Sequence, residues 1–74
     1  MAIPQAVLDK AKELIEYYGE NFERLGVHQG KQIYKFVFPI GERTGFPYVY
    51  LYDEQTNEVE KITGINAIVF LNSF

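Results

Sequence analysis

The chain has 74 residues, no cysteine and a formal net charge of −3, with an isoelectric point near 5.0. Its seven basic residues are scattered, so it lacks the basic patch that nucleic-acid binding requires. No stretch of about 18 apolar residues is present to span a membrane, and the lack of cysteine excludes disulfides and thiolate metal ligands. The length predicts a single domain over residues 1–74. Because no basic segment precedes an apolar one at the N-terminus, we expect a cytoplasmic protein, or a secreted or periplasmic one if a leader has been removed.

The first predicted element is a helix over residues 4–18. Apolar side chains recur there at helical spacing and form one stripe: Val7, Ala11, Leu14, Ile15 and Tyr18. Pro4 suits the first helical position, where its missing N–H is not needed. Gly19 suits the position after the last turn, where a left-handed residue ends a helix.

A meander of strands is predicted to follow the helix. The pattern places strands at residues 20–28, 32–40, 46–52 and 58–63, with turns or loops at residues 28–31, 41–45 and 53–57. Gly26 fits a bulge in the first strand. Gly30 and Asn57 supply residues that tolerate the left-handed region in the turns. The charged strand over residues 58–63 is typical of a sheet edge.

The C-terminal run over residues 65–71 is apolar and rich in β-branched residues. This content favours a fifth strand, although a short buried helix fits the same pattern. The predicted fold class is therefore α+β, with one N-terminal helix packed on a four- to five-stranded antiparallel meander sheet.

Three segments carry a resemblance to a known family: residues 34–38 (Tyr-Lys-Phe-Val-Phe), 48–53 (Tyr-Val-Tyr-Leu-Tyr-Asp) and 56–59 (Thr-Asn-Glu-Val). They resemble the PepSY-like family, whose members show a tyrosine-led strand, a strand ending in Asp and a turn of the type Thr-Gly-Glu-Val. Asn57 stands where that family usually has Gly, and residues 65–74 have no counterpart. The resemblance implies one helix against an antiparallel sheet. It also implies a non-catalytic module that binds or inhibits peptidases, with no catalytic residues.

None of the motifs that carry chemistry is complete. His28 is the only histidine and falls in a predicted turn, so we expect it to be exposed and without a catalytic partner. Residues 53–64 resemble a calcium loop but have Glu58 at the sixth position and Gly64 at the twelfth. Residues 41–45 have two glycines but no Lys-Ser/Thr ending for a phosphate loop. We therefore predict no enzymatic activity, no metal and no cofactor.

The two central strands are apolar on both faces, and one helix covers only one of them. One face carries Ile33, Val37, Val49 and Leu51, and the other carries six aromatic residues: Tyr34, Phe36, Phe38, Tyr48, Tyr50 and Tyr52. We expect the aliphatic face to pack on the helix and the aromatic face to form an interaction surface. Sheet register leaves the opposite assignment open.

These observations predict a non-catalytic protein-interaction or structural module, which self-associates through the aromatic face as a homodimer or binds another protein. The alternative is a PepSY-like module that binds a peptide, or binds or inhibits a peptidase, through a strand edge that accepts an extended peptide. A third hypothesis is a small-molecule pocket between helix and sheet, which requires a cavity with convergent polar groups.

Overall fold

A computed structural model describes residues 3–38 and 47–73 of the chain. The architecture is α+β, as predicted, with four antiparallel strands in the spatial order β1-β2-β3-β4. Each strand pairs with its neighbour in sequence, so the sheet is a meander. The elements are α1 (Gln5–Lys10), α2 (Lys12–Tyr18), β1 (Phe22–His28), β2 (Lys31–Phe36), β3 (Val49–Asp53), β4 (Glu58–Ile62) and α3 (Ile65–Ser73).

The N-terminal helix is divided in two at Ala11, which has φ −98° and ψ 15°. The Ala11 amide still donates to the Val7 carbonyl at 3.0 Å, so the two parts follow one another closely. Pro4 lies one residue earlier than predicted, at the N-cap, where its carbonyl accepts from the amides of Val7 and Leu8. Gly19 ends α2 with φ 89°, as the sequence predicts.

The predicted irregularity in the first strand is confirmed. The register between β1 and β2 shifts between Arg24 and Gly26, and Gly26 has φ 130°. The turn between these strands uses Gln29 and Gly30, both with positive φ, which is the geometry that a two-residue hairpin requires. Residues 39–46 lie outside the described residues. They include the predicted loop at residues 41–45 and parts of both predicted central strands.

The C-terminal segment is a helix, so the preference for a fifth strand is wrong and the helical alternative holds. The amides of Ala67 and Ile68 donate to the Gly64 carbonyl at 3.1 and 3.4 Å and begin α3. A helix brings Ala67, Phe70 and Leu71 to one side at spacings of three and four residues. All three pack on the sheet, and Ala67 is fully buried. This packing outweighs the β-branched preference of the segment.

The aromatic face of the sheet lies under α1 and α2, and not toward solvent as we expected. Its buried members, Tyr34, Phe36 and Tyr50, are at most 2% exposed and pack with Val7 and Ala11. Small side chains at these two helical positions let the helices approach the ring layer closely. Aromatic rings also bury the largest area per residue, which favours this face for the main core. The other three aromatic residues, Phe38, Tyr48 and Tyr52, pack against this core, so all six belong to it.

The aliphatic face is covered as well, because α3 packs on the opposite side of the sheet. Ile33, Val49 and Leu51 form a second core with Ala67, and Leu25 and Ile62 pack around it. Alternation along β2 and β3 places these residues on the face opposite the aromatic layer. The expectation that one sheet face stays uncovered is therefore wrong for the described residues, since a helix lies on each face.

Candidate functional site

Four of the six aromatic residues predicted as an interaction face make ring contacts with one another or with Tyr18 and Phe22: Phe36, Phe38, Tyr48 and Tyr50. The Phe22 and Phe36 ring centroids are 5.3 Å apart at 88°, and those of Tyr18 and Phe38 are 5.2 Å apart at 82°. Such pairs add to the stabilisation from buried area. Two of the tyrosine hydroxyls are satisfied locally: Tyr34 donates to Gln32 Oε1 at 2.6 Å, and Tyr52 donates to Asn57 Oδ1 at 3.0 Å. The cluster is thus a structural core.

An apolar surface remains on the outside of α3. Ile65, Ile68 and Val69 are 69%, 39% and 60% exposed, and we call these three residues the α3 surface. Their spacing of three and four residues places them together on one side of the helix. The whole helix, with the sequence Ile-Asn-Ala-Ile-Val-Phe-Leu-Asn-Ser, carries no charged side chain. The α3 surface exposes on the order of 300 Å², which approaches the largest apolar patch of a typical monomer.

A groove runs beside the α3 surface, between α3 and β4. Its volume is about 570 Å³, and its apolar lining residues are Ile62, Val69 and Phe70. The polar lining residues are Glu60, Lys61, Thr63, Asn66 and Ser73. The other strongly exposed apolar residues, Tyr17, Val27 and Val37, lie singly on separate parts of the chain, which is normal for a protein surface.

The sheet has two outer strands, β1 and β4, because the described strands form an open sheet. β4 carries charged residues at Glu58, Glu60 and Lys61, and Glu60 lies 3.9 Å from Lys31. β1 is interrupted by its bulge. Charges and bulges of this kind discourage the addition of further strands.

A cleft lies between the α1–α2 junction and the strands β3 and β4. Its volume is about 440 Å³. It is lined by Asp9, Lys10, Ala11, Lys12, Glu13, Leu14, Tyr48, Tyr50 and Lys61. The sequence did not reveal this cleft, because its residues come from three separate segments. The sequence offered one signal. Val59 and Lys61 are two residues apart on β4, so their side chains lie on the same face of the sheet as Tyr50, which pairs with Lys61.

Tyr50 is the largest fully buried side chain among the described residues. Burial raises the pKa of its hydroxyl from 10.0 to about 12, with a further contribution from the neighbouring Tyr48. The phenol therefore stays protonated and neutral at physiological pH. Within the described part of the chain, its hydroxyl forms no hydrogen bond.

The candidate motifs from the sequence lie apart from this cleft. His28 is half-buried, and its ring lies edge-on to Phe70 at 5.6 Å, so the expected exposed turn residue instead packs on α3. Asp53 Oδ1 accepts from the Gln55 amide at 3.0 Å, as in an ordinary turn. Within residues 3–38 and 47–73, no three His, Asp or Glu side chains are grouped to hold a metal ion. Over the same residues, no helix has the length and apolarity to cross a bilayer.

The fold defines the chain as an α+β protein in which helices from the two ends cover opposite faces of a four-stranded meander. Comparison with known proteins finds no family model that matches this chain, and no curated protein or solved structure similar to it.

Proposed function

We propose that the protein is a non-catalytic interaction module that self-associates as a homodimer through the α3 surface. The observation that carries this proposal is the exposure of Ile65, Ile68 and Val69 on a helix without charge. The aromatic face does not serve as the contact surface, because α1 and α2 pack on it.

A non-catalytic role is supported by the chemistry of the described residues. None of the buried residues among them is charged, and a general acid or base is usually tuned by burial or by a close partner. Among the described residues, burial raises the pKa of the Tyr50 phenol, away from neutrality. The phenol therefore does not ionise at physiological pH and does not supply a general base.

Self-association is favoured by the symmetry of the contact. In a two-fold dimer the same patch lies on both sides of the interface. A charged patch would then face the same charges on the second copy. The α3 surface carries no charged side chain, so it meets no such repulsion. The groove beside it gives room for side chains of the second copy.

The size of the α3 surface predicts that the dimer is weak. A stable interface buries roughly 800 Å² on each partner, and the α3 surface supplies less than half of that area. We expect a dissociation constant of about 10 to 100 µM, as transient dimers show.

Light scattering coupled to size-exclusion chromatography tests this proposal over a concentration series up to about 500 µM. Wild type should shift from monomer toward dimer mass, whereas Ile65→Glu and Val69→Glu should stay monomeric, because each introduces a charge that must be desolvated. Tyr17→Glu is the matched control, since Tyr17 is 86% exposed on α2, and it should dimerise like wild type. A monomer mass for wild type at every concentration refutes the homodimer.

The PepSY-like alternative is a second candidate, because the described strands form an open sheet with outer strands β1 and β4. It ranks below the homodimer, since the bulge of β1 and the charges of β4 discourage strand addition. A peptide would add to such an edge through main-chain hydrogen bonds. Inhibition assays with metallopeptidases test it directly, and the absence of inhibition at a large excess of the protein argues against it.

A further inference from the structure

We propose that the cleft at the α1–α2 junction binds a small organic anion, whose carboxylate or phosphate group is held by the Tyr50 hydroxyl and the Lys61 ammonium group. This site lies on the opposite sheet face from the α3 surface. The two sites share Lys61, which also lines the groove beside α3, whereas Tyr50 lines only the cleft.

The Tyr50 hydroxyl is a donor that has no hydrogen-bond partner among the described residues. The side chain is only 1% exposed, and its ring lies 6.0 Å from Phe22 in an edge-to-face arrangement. Among the described residues no side-chain nitrogen or oxygen is both fully buried and without a hydrogen bond. The small exposed part of Tyr50 is therefore its hydroxyl, and the cleft is where this residue meets solvent.

Lys61 lies directly opposite Tyr50 in the pairing of β3 with β4. Directly paired residues project to the same face of a sheet, and both line the cleft. A neutral hydroxyl donor beside an ammonium group is a suitable pair for one oxyanion, because hydrogen bonds to a charged group are stronger than those between neutral groups.

The charge of the cleft also favours an anion. Three ammonium groups (Lys10, Lys12 and Lys61) and two carboxylates (Asp9 and Glu13) line it, which gives a net charge of +1 from these five residues. The chain as a whole carries −3, so the cleft departs in sign from the rest of the surface. One of its two carboxylates, that of Asp9, already accepts from Gln5 Nε2 at 2.9 Å.

The remaining walls suit the body of a small organic molecule. Ala11, Leu14 and the Tyr48 ring provide apolar contacts near the polar pair. The volume of about 440 Å³ falls within the range of roughly 300–1,000 Å³ that small-molecule sites occupy. The cleft thus combines apolar walls with few polar groups, as such sites do.

Two probes distinguish the possible forms of the anion: benzoate, a carboxylate with an apolar ring, and inorganic phosphate. Each is titrated at constant ionic strength up to about 20 mM into labelled protein, and amide chemical shifts are followed, since an unoptimised probe binds with a dissociation constant of about 1 mM. We expect saturable shifts at Tyr50, Lys61 and the residues around Ala11. Tighter binding of benzoate assigns a carboxylate ligand, and tighter binding of phosphate assigns a phosphate ligand.

Two variants and one control test the assigned groups. Tyr50→Phe keeps the buried ring and should weaken binding about tenfold, because a hydrogen bond to a charged group is lost. Lys61→Gln, at an exposed position, should weaken it by a few fold. Lys31→Gln is the matched control, because Lys31 pairs with Glu60 outside the cleft, and it should bind like wild type. Linear shifts without saturation, or equal affinity in all three variants, overturn the proposal.

Discussion

Raising the pH tests whether the Tyr50 phenol is buried as strongly as the structure indicates. Its pKa is about 12 in the folded protein and close to 10 in an unfolded chain. Below pH 10 both states keep the proton, so the full stability is present. Between pH 10 and pH 12 the unfolded state ionises first, and stability falls as the pH rises. The linkage relation gives a loss of about 1.4 kcal/mol at pH 11, and about 2.7 kcal/mol well above pH 12.

The assay is urea unfolding followed by circular dichroism at pH 8, 10 and 11, for wild type and Tyr50→Phe. The other tyrosines and the lysines titrate in both proteins, so the difference between the two isolates the Tyr50 hydroxyl. Wild type should lose about 1.4 kcal/mol more than Tyr50→Phe between pH 8 and pH 11. Parallel pH dependences, with a difference below about 0.3 kcal/mol, would show that the hydroxyl is solvated like an exposed phenol and refute the reasoning.

Three further predictions concern stability and are measured by the same unfolding assay. Phe36→Ala should lower the free energy of unfolding by about 3–5 kcal/mol, because Phe36 is buried in the aromatic core. Val37→Ala, at the exposed neighbouring position, should change it by less than about 0.5 kcal/mol. Equal effects would contradict the assigned core. Ala67→Glu should destabilise by several kcal/mol, since Ala67 is fully buried between α3 and the sheet, whereas Asn66→Glu at an exposed position should not. Gly30→Ala should cost about 1–2 kcal/mol through backbone strain alone, because its φ is 79° and no atom lies within 4 Å of an added Cβ; no loss would mean that the turn relaxes.

Local signals in the sequence predicted much of the fold. The stripe from Val7 to Tyr18 indicated the N-terminal helix, and the bulge at Gly26 and the turns at Gly30 and Asn57 follow from backbone conformations that few residues adopt. These features depend on neighbours in the chain. They fix an α+β meander without knowledge of long-range contacts.

The C-terminal helix depends on contacts that the sequence alone does not reveal. Ile65, Ile68 and Val69 prefer strands by propensity, yet the burial of Ala67 against Ile33 selects a helix. The strand expected over residues 65–71 also led to the wrong interaction face. With α3 on the aliphatic face, α1 and α2 pack on the aromatic face and bury it. The cleft around Tyr50 was missed for the same reason, since Ala11, Tyr50 and Lys61 meet only after the strands pair.

The order of the elements has a consequence for truncated chains. Because α3 follows the four strands, a chain that ends at residue 63 contains the whole meander but lacks the helix that shields Ile33, Val49 and Leu51. Uncovered aliphatic side chains of this kind promote aggregation. Purified chains ending at residue 63 should accordingly bind a hydrophobic dye more strongly than chains that extend through residue 73.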